Sequence, residues 1–211
     1  MKKKSAAQKT GQPSVLLRFL SLTVDNLWNL LRLNVVFLVS CIPLVTIGPA
    51  LAALSHLTAQ MVRDNEEISS PVKSYFFYFR QLFFRALPIG LLTLLIHIVF
   101  GGGLLIYGSM MGAGTGYLLL CSCSLLVLLL TGGICLHLYP MLAQPNEGNL
   151  LANAATHALQ RMGRTVIAVL IMIGLLLAQL LTFPVSLPVT LCLGIALPAL
   201  VGSFAYVDTT V

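Results

Sequence analysis

Charge is what this sequence has least of. Only 9% of its residues are Lys, Arg, Asp or Glu, against roughly 25% in a typical soluble domain. None of these residue types occurs at 33–62, 86–146 or 165–207. About 20 apolar residues span a bilayer as a helix, and a charge at the middle of such a helix costs roughly 2.5–3.5 kcal/mol. The three uncharged stretches therefore predict an all-α integral membrane protein and exclude a soluble globular domain.

The sequence also lacks the residue patterns of several kinds of site. Its 5 cysteines form no Cys-x-x-Cys pair and show no zinc-ligand spacing with histidine, so neither a disulfide framework nor a metal site is indicated. Catalytic nucleophile and base pairs, intramembrane carboxylate pairs and phosphate-binding loops are missing as well. The net charge of +6 comes from basic residues that flank the apolar stretches and form no dense patch. We therefore expect no enzyme activity, no cofactor and no nucleic acid partner, with the lipid bilayer as the surroundings.

Glycine and proline divide the two longer uncharged stretches into pairs of helices. Glycines concentrate at 101–116, which indicates a turn, and Pro184 and Pro188 indicate a second, tight hairpin because proline cannot continue a helix from within. Together they predict a transmembrane bundle with four full spanning helices. The predicted spans cover residues 87–107, 117–139, 165–183 and 188–206.

The first uncharged stretch, counted here as 33–62, is a broken membrane segment. Pro43 and the pair Gly48-Pro49 interrupt it, and two complete spans would need about 40 residues. It is therefore either one kinked helix or a hairpin of two short arms. Free backbone groups at membrane depth must be satisfied inside the protein, and the Thr46 hydroxyl is the nearest candidate to bond one of the freed carbonyls. We also expect Gly48 to supply backbone angles that other residues avoid.

The distribution of Lys and Arg predicts the orientation of the chain. Basic residues concentrate in the N-terminal segment 1–32 and in loops at 64–85 and 141–164, whereas the glycine-rich turn carries no charge. By the positive-inside rule these three segments, together with the C-terminus, lie in the cytoplasm. Both ends of 33–62 are then on one side, which favours the hairpin. The whole chain, 1–211, is predicted to be a single membrane domain.

Two groups of residues are candidates for function. His97 lies near the middle of its predicted helix, where an ionisable side chain is either bonded to a neighbouring helix or part of a proton or substrate relay. The segment 70–85 opens with a Ser-Pro helix-start signal and mixes aromatic with basic residues, as in the belts found at headgroup level. Within it, Arg80, Phe83 and Arg85 are candidates for contact with anionic lipid or with a partner protein.

The order of these motifs resembles that of a known family. The stretch 34–54, and above all Val45-Thr46-Ile47-Gly48-Pro49 within it, resembles the N-terminal signature of the YesL-like bacterial membrane proteins. The basic-acidic loop that follows, the aromatic segment 75–86 and Tyr139-Pro140 are similar to later elements of that family. The resemblance runs from about Phe19 to Phe204, and the dense glycine turn and the lack of a basic C-terminal tail depart from it.

This resemblance implies a small multi-pass protein of the bacterial cytoplasmic membrane with no assigned biochemical activity. Members of the family are often encoded beside genes for carbohydrate uptake and degradation. We therefore predict a non-enzymatic accessory or assembly component linked to carbohydrate uptake, with another membrane protein such as a sugar-uptake system as partner. The alternative is a small transporter or channel for an uncharged solute, with Pro43, Thr46, Gly48 and Pro49 lining its path, since interrupted helices mark transporter sites.

Overall fold

The computed structural model describes residues 15–64, 70–110, 112, 114–144, 149–181 and 194–207. Helices are the only regular secondary structure in these ranges. A short 3-10 turn at Leu44–Thr46 precedes the third helix. The α-helices are α1 (Val15–Asp25), α2 (Leu27–Ser40), α3 (Ile47–Asp64), α4 (Pro71–Ser109), α5 (Thr115–Met141), α6 (Leu150–Gln160), α7 (Met162–Leu181) and α8 (Ala196–Tyr206).

The predicted all-α polytopic helix bundle is confirmed. Among the described residues, four segments are long and apolar enough to cross a membrane. A fifth candidate is the pair α1 and α2. Together these two helices are also long and apolar enough, but they are bent by 71° between Asp25 and Leu27. The four segments are Leu44–Asp64, Pro71–Ser109, Thr115–Met141 and Met162–Gln179.

Three of the predicted spans coincide with α4, α5 and α7. Helix α4 is much longer than predicted because the aromatic segment at 70–85 belongs to the same helix. Its 39 residues extend about 58 Å, roughly twice the thickness of a bilayer core. Only its uncharged part, 86–109, suits the bilayer interior. Ser70 precedes the helix as predicted, but its side chain makes no capping hydrogen bond.

The other predicted boundaries differ more from the structure. Helix α4 continues through most of the predicted glycine turn and ends at Ser109, and α5 begins at Thr115. The predicted hairpin at Pro184 and Pro188 lies outside the described residues. Of the predicted span at 188–206, the described part forms α8, which has 11 residues and is too short for a complete crossing.

Helix α3 lies at the centre of the bundle. Its most apolar window is 61% buried, against 6–17% for those of α4, α5 and α7. Leu54 and Leu57 are completely buried, as are Ala50 and Ala53 on the same helix. The alanines let neighbouring helices approach closely, which is how helices associate in a bilayer. Half of the predicted broken segment is therefore the core of the protein, surrounded by α2, α4, α5 and α8.

The break between α2 and α3 follows the prediction for Thr46. Helix α2 ends at Ser40, and the Thr46 hydroxyl contacts the carbonyl oxygens of Ser40 and, at 2.6 Å, of Pro43. This hydroxyl thus serves carbonyls that have lost their helical partners. Pro49 lies in the first turn of α3, where a backbone N–H has no helical partner in any case, so it does not interrupt the helix.

The reason for glycine at position 48 differs from the prediction. Gly48 lies within α3, not in the left-handed backbone region, and faces Gly90 of α4. A Cβ atom on Gly48 would lie 2.6 Å from Gly90 Cα and 2.8 Å from the carbonyl oxygen of Ala86, distances that real Cβ atoms essentially never show. A Cβ on Gly90 would lie 2.3 Å from Gly48 Cα. We call this backbone contact between the two helices the inner crossing.

Helix α1 contacts the end of α3. The Arg18 guanidinium donates from Nη2 to the carbonyl oxygen of Val62 at 2.9 Å, near the end of α3. The last carbonyls of a helix have no helical partner, and a cation suits the negative end of the helix dipole. This hydrogen bond joins α1 to the end of α3.

The same end of the bundle collects two further segments. Arg161, between α6 and α7, donates from Nη1 to the carbonyl oxygen of Tyr206 at 2.8 Å, at the end of α8. The rings of Phe19 and Phe204 meet edge to face at 5.4 Å. These contacts bring α1 together with the end of α3, and the start of α7 together with the end of α8, at one end of the bundle.

Candidate functional site

A cavity of about 330 Å³ lies between α3, α4, α5, α7 and α8. It runs along α4 from Gly90 to His97 and along α5 from Gly132 to Tyr139. The inner crossing borders it through Ile47 and Gly90. Most of its wall is apolar and includes Leu51, Leu94, Leu136, Met172, Leu176 and Ile195.

Most of the hydroxyl groups in this wall already have partners. Thr93 donates to the carbonyl oxygen of Gly90 at 3.0 Å, which leaves its oxygen to accept from the Tyr139 hydroxyl at 3.0 Å. This pair joins α4 to α5. Ser203 of α8 shares a 2.8 Å hydrogen bond with Thr58 of α3. These groups stabilise contacts between helices, because a hydrogen bond between hydroxyls satisfies both in apolar surroundings.

His97, predicted from the sequence as an intramembrane polar residue, lines the cavity. Its Nδ1 lies 2.7 Å from the carbonyl oxygen of Thr93 on the same helix. A carbonyl can only accept, so Nδ1 carries the hydrogen, and Nε2 of a neutral ring is left as an acceptor. The ring is exposed at the rim of the cavity.

A second histidine makes the contact between helices that the sequence suggested for His97. His137 of α5 is completely buried, and its Nε2 lies 2.9 Å from the Thr165 hydroxyl of α7. Thr165 also packs against Gly133, where an added Cβ would lie 3.2 Å from the threonine methyl carbon. His137 is not part of the cavity wall, so the two histidines do not form one site. Within the described ranges no three His, Cys, Asp or Glu side chains come together as metal ligands.

The break itself contributes little to the cavity. The predicted path-lining residues Pro43, Thr46, Gly48 and Pro49 all lie outside the cavity wall. Between residues 41 and 49, only Ile47 lines the cavity. The break positions α3 instead, through the Thr46 hydrogen bonds and the inner crossing.

A second surface lies on the N-terminal part of α4. Phe76, Arg80 and Phe84 follow one another at helical spacing, with Phe79 and Phe83 beside them, and the five side chains form a shallow groove. We call these five residues the aromatic face. Phe84 is 86% exposed and Phe76 is 51% exposed.

The adjoining side of α4 holds the aromatic face in place. Tyr75, Leu82 and Ala86 are at most 1% exposed and pack into the core. Of the three candidate residues in this segment, the structure brings Arg80 and Phe83 into one groove. Arg85 is exposed but is not part of the groove.

Sequence reasoning missed Asn34, which is completely buried in α2. Its side-chain Oδ1 accepts from the backbone N–H groups of Ile195 at 2.9 Å and Ala196 at 3.0 Å, at the start of α8. These N–H groups have no helical partners of their own. The only signal in the sequence is an amide within an otherwise apolar run, and it does not reveal a helix end 161 residues away.

Comparison with known proteins gives one match. A family model described as "Protein of unknown function, DUF624" matches residues 30–102. No curated protein and no solved structure matches the chain. The matched residues run from α2 through the break and α3 into α4, so they include the inner crossing, the aromatic face and His97. Over this part the chain is similar to a family of unknown function.

Proposed function

We propose that this protein is a non-enzymatic accessory or assembly component that binds another integral membrane protein. The observation that supports this proposal is the aromatic face of α4. Phe76, Arg80 and Phe84 are exposed there, and Phe79 and Phe83 are half-buried beside them on a helix that is fixed in the core. Aromatic residues and arginine are the residue types that most often dominate the energy of protein interfaces.

The chemistry of this face suits a protein partner. Covering an exposed phenylalanine stabilises a complex by about 1.5–3 kcal/mol. Arg80 lies one turn from Phe76 and one turn from Phe84, so its guanidinium can donate two parallel hydrogen bonds to a carboxylate that the rings shield from water. The face precedes the uncharged part of α4, which puts it at headgroup level.

Further details of the proposal come from the family resemblance. The YesL-like proteins suggest the bacterial cytoplasmic membrane as location and a link to carbohydrate uptake. The partner would then be a membrane-spanning component of a sugar-uptake system. The match to a family of unknown function is compatible with this proposal and adds no activity to it.

Association should depend on the aromatic face. We expect replacement of Arg80 and Phe83 by alanine to reduce the partner recovered from native membranes at least tenfold. Leu105→Ala is the control, because Leu105 is 77% exposed on the same helix but lies outside the face. Quantitative co-purification measures the effect.

One substitution distinguishes binding of the aromatic face to a protein partner from its binding to anionic lipid. Arg80→Lys keeps the charge that attracts lipid headgroups but loses the planar fork, so the complex should weaken as with alanine. Full recovery of the partner with the double alanine variant would refute the docking role of the face.

Orientation can be tested by labelling single cysteines. The proposal places the N-terminus, the loops at 64–85 and 141–164 and the C-terminus in the cytoplasm. In a background without other cysteines, Ser109→Cys should react with an impermeant thiol reagent added outside, whereas Ser5→Cys and Ser69→Cys should not. External labelling of Ser5→Cys would contradict the hairpin and restore a single first crossing.

A second candidate function is transport of an uncharged solute. The observation in its favour is the cavity, whose described wall contains no Lys, Arg, Asp or Glu. Purified protein alone in lipid vesicles would then carry solute, which an accessory protein would not. Robust flux without a partner would decide for transport.

A further inference from the structure

The cavity has the volume of a small ligand pocket and is open on one side. Protein interiors contain few voids larger than one water molecule, whereas ligand pockets begin at about 300 Å³, and this cavity measures about 330 Å³. It is bounded by five helices at the level of the uncharged part of α4, between Gly90 and His97.

The wall excludes two classes of ligand. Its described residues carry no charged side chain, so an ion would enter without a counter-charge. Sugars are excluded because each of their many hydroxyls needs a partner, and Thr93, Tyr139 and Ser203 use theirs to join helices. What remains is a molecule that is mostly hydrocarbon.

Two polar side chains of the wall, those of His97 and Ser55, remain to orient such a molecule. The His97 Nδ1 is used by the Thr93 carbonyl, and Nε2 of the neutral ring is an acceptor. A ligand that suits this end of the cavity presents one hydroxyl donor. Ser55, on the opposite wall, adds a hydroxyl to the same cavity.

The position of the rim indicates how the ligand enters. His97 of α4 and Leu176 of α7 both line the cavity and are both exposed on the side of the bundle. Both lie in uncharged parts of their helices, which face the hydrocarbon of the bilayer. The rim therefore opens sideways toward lipid.

We infer that this cavity binds an uncharged lipid with a hydrocarbon chain and a single free hydroxyl, whose chain lies among Leu94, Leu136 and Met172 and whose hydroxyl donates to His97 Nε2. The ligand enters from the bilayer between α4 and α7. This inference is independent of the aromatic face and of any solute flux, because it concerns binding alone.

The test uses a long-chain fatty alcohol with a photoreactive diazirine in its chain, and the protein in phosphatidylcholine vesicles. We expect cross-links on peptides that line the cavity and competition by the unlabelled alcohol. The methyl ether of the same alcohol, which has no donor, should compete at least tenfold less well.

Two variants fill or alter the site. Gly132 lines the cavity and a Cβ there would meet nothing within 4 Å, so Gly132→Leu adds a side chain without a backbone clash. It should reduce cavity labelling at least tenfold. Gly174→Leu on α7, which also has open space but lies outside the wall, should leave labelling within twofold.

In the His97→Leu variant, the unlabelled alcohol and its methyl ether should compete with the photoreactive alcohol to within twofold of each other. This variant tests the hydrogen bond from the ligand hydroxyl even if Gly132→Leu fails to fold. Monodisperse elution and thermal melting establish the fold of each variant. The proposal is overturned if Gly132→Leu folds and labels like the wild type, if ether and alcohol compete equally with the wild type, or if cross-links fall only on outer faces such as Leu105.

Discussion

Glycine serves opposite purposes in two regions of this protein. At the inner crossing, backbone atoms of the neighbouring helix occupy the place of a Cβ on Gly48 and on Gly90. In the outer region, defined as residues 101–116, a Cβ on Gly101, Gly102 or Gly108 would meet nothing within 4 Å. Apart from Gly103, where a Cβ would lie 3.2 Å from the Tyr107 ring, the described glycines of this dense region are thus loosely surrounded. The tightest contact uses one isolated glycine from each helix.

The largest loss of stability is expected when a side chain is added at the inner crossing. Gly48→Val forces α3 and α4 apart, because the nearest atoms are backbone and cannot rotate away. Overpacking costs about 1–3 kcal/mol and occasionally more, and we expect the upper part of this range. Thermal unfolding in detergent measures it, with Gly90→Val expected to behave the same way.

Gly102→Val is the matched control in the outer region. It adds the same side chain where space is open, so its loss of stability should be limited to the modest helix penalty of a β-branched residue. Equal tolerance of valine at Gly48 and Gly102 would show that the two helices do not meet as described.

An intermediate effect is expected for the hydroxyl that completes the break. Thr46→Val keeps the shape of the side chain but removes the hydrogen that serves the Ser40 and Pro43 carbonyls. The bond to the Ser40 carbonyl is partly buried, and its loss should cost about 0.5–1.5 kcal/mol. Ser109, in the outer region, makes a similar bond to the Ile106 carbonyl at 2.7 Å but is exposed. Ser109→Ala should therefore change stability by less than about 0.5 kcal/mol. A comparison of the two melting temperatures tests this, and equal shifts would contradict the role of Thr46.

The smallest expected change is a gain in stability rather than a loss. Gly102 lies within α4 with open space around it, and alanine is more favourable than glycine inside a helix by about 0.5–1 kcal/mol. Gly102→Ala should therefore raise the melting temperature slightly, whereas Gly48→Ala should lower it. A loss of stability with Gly102→Ala would indicate that the outer region packs against something.

The sequence was sufficient for features that depend on local pattern. Uncharged stretches predicted α4, α5 and α7, and Pro43 together with Thr46 located the break and its hydrogen bond. It was insufficient where the partner is distant in the chain. Nothing near Gly48 reveals Gly90, and nothing near Asn34 reveals the start of α8. The local pattern around Gly48 therefore predicts backbone angles that other residues avoid, whereas in the structure this glycine lets the backbone of α4 approach closely.

The placement of His97 shows the same limit. Its depth follows from its distance to the nearest charge, so a position within the membrane was predictable. Its neighbours were not, because the cavity is assembled from five helices and most of its wall is ordinary leucine, methionine and isoleucine. A side chain in an apolar run gives no sign of the empty space beside it.

The two arginines that bind helix ends have a consequence for how the protein assembles. Arg18 and Arg161 belong to the basic segments on which the predicted orientation rests, and in the folded protein each guanidinium binds a carbonyl at the end of a different helix. Side chains that contribute to the predicted orientation of the chain therefore also hold helix ends together in the folded bundle. If either basic segment were on the opposite side of the membrane from the helix end that its arginine binds, the hydrogen bond could not form, so a local error of topology would also be an error of folding.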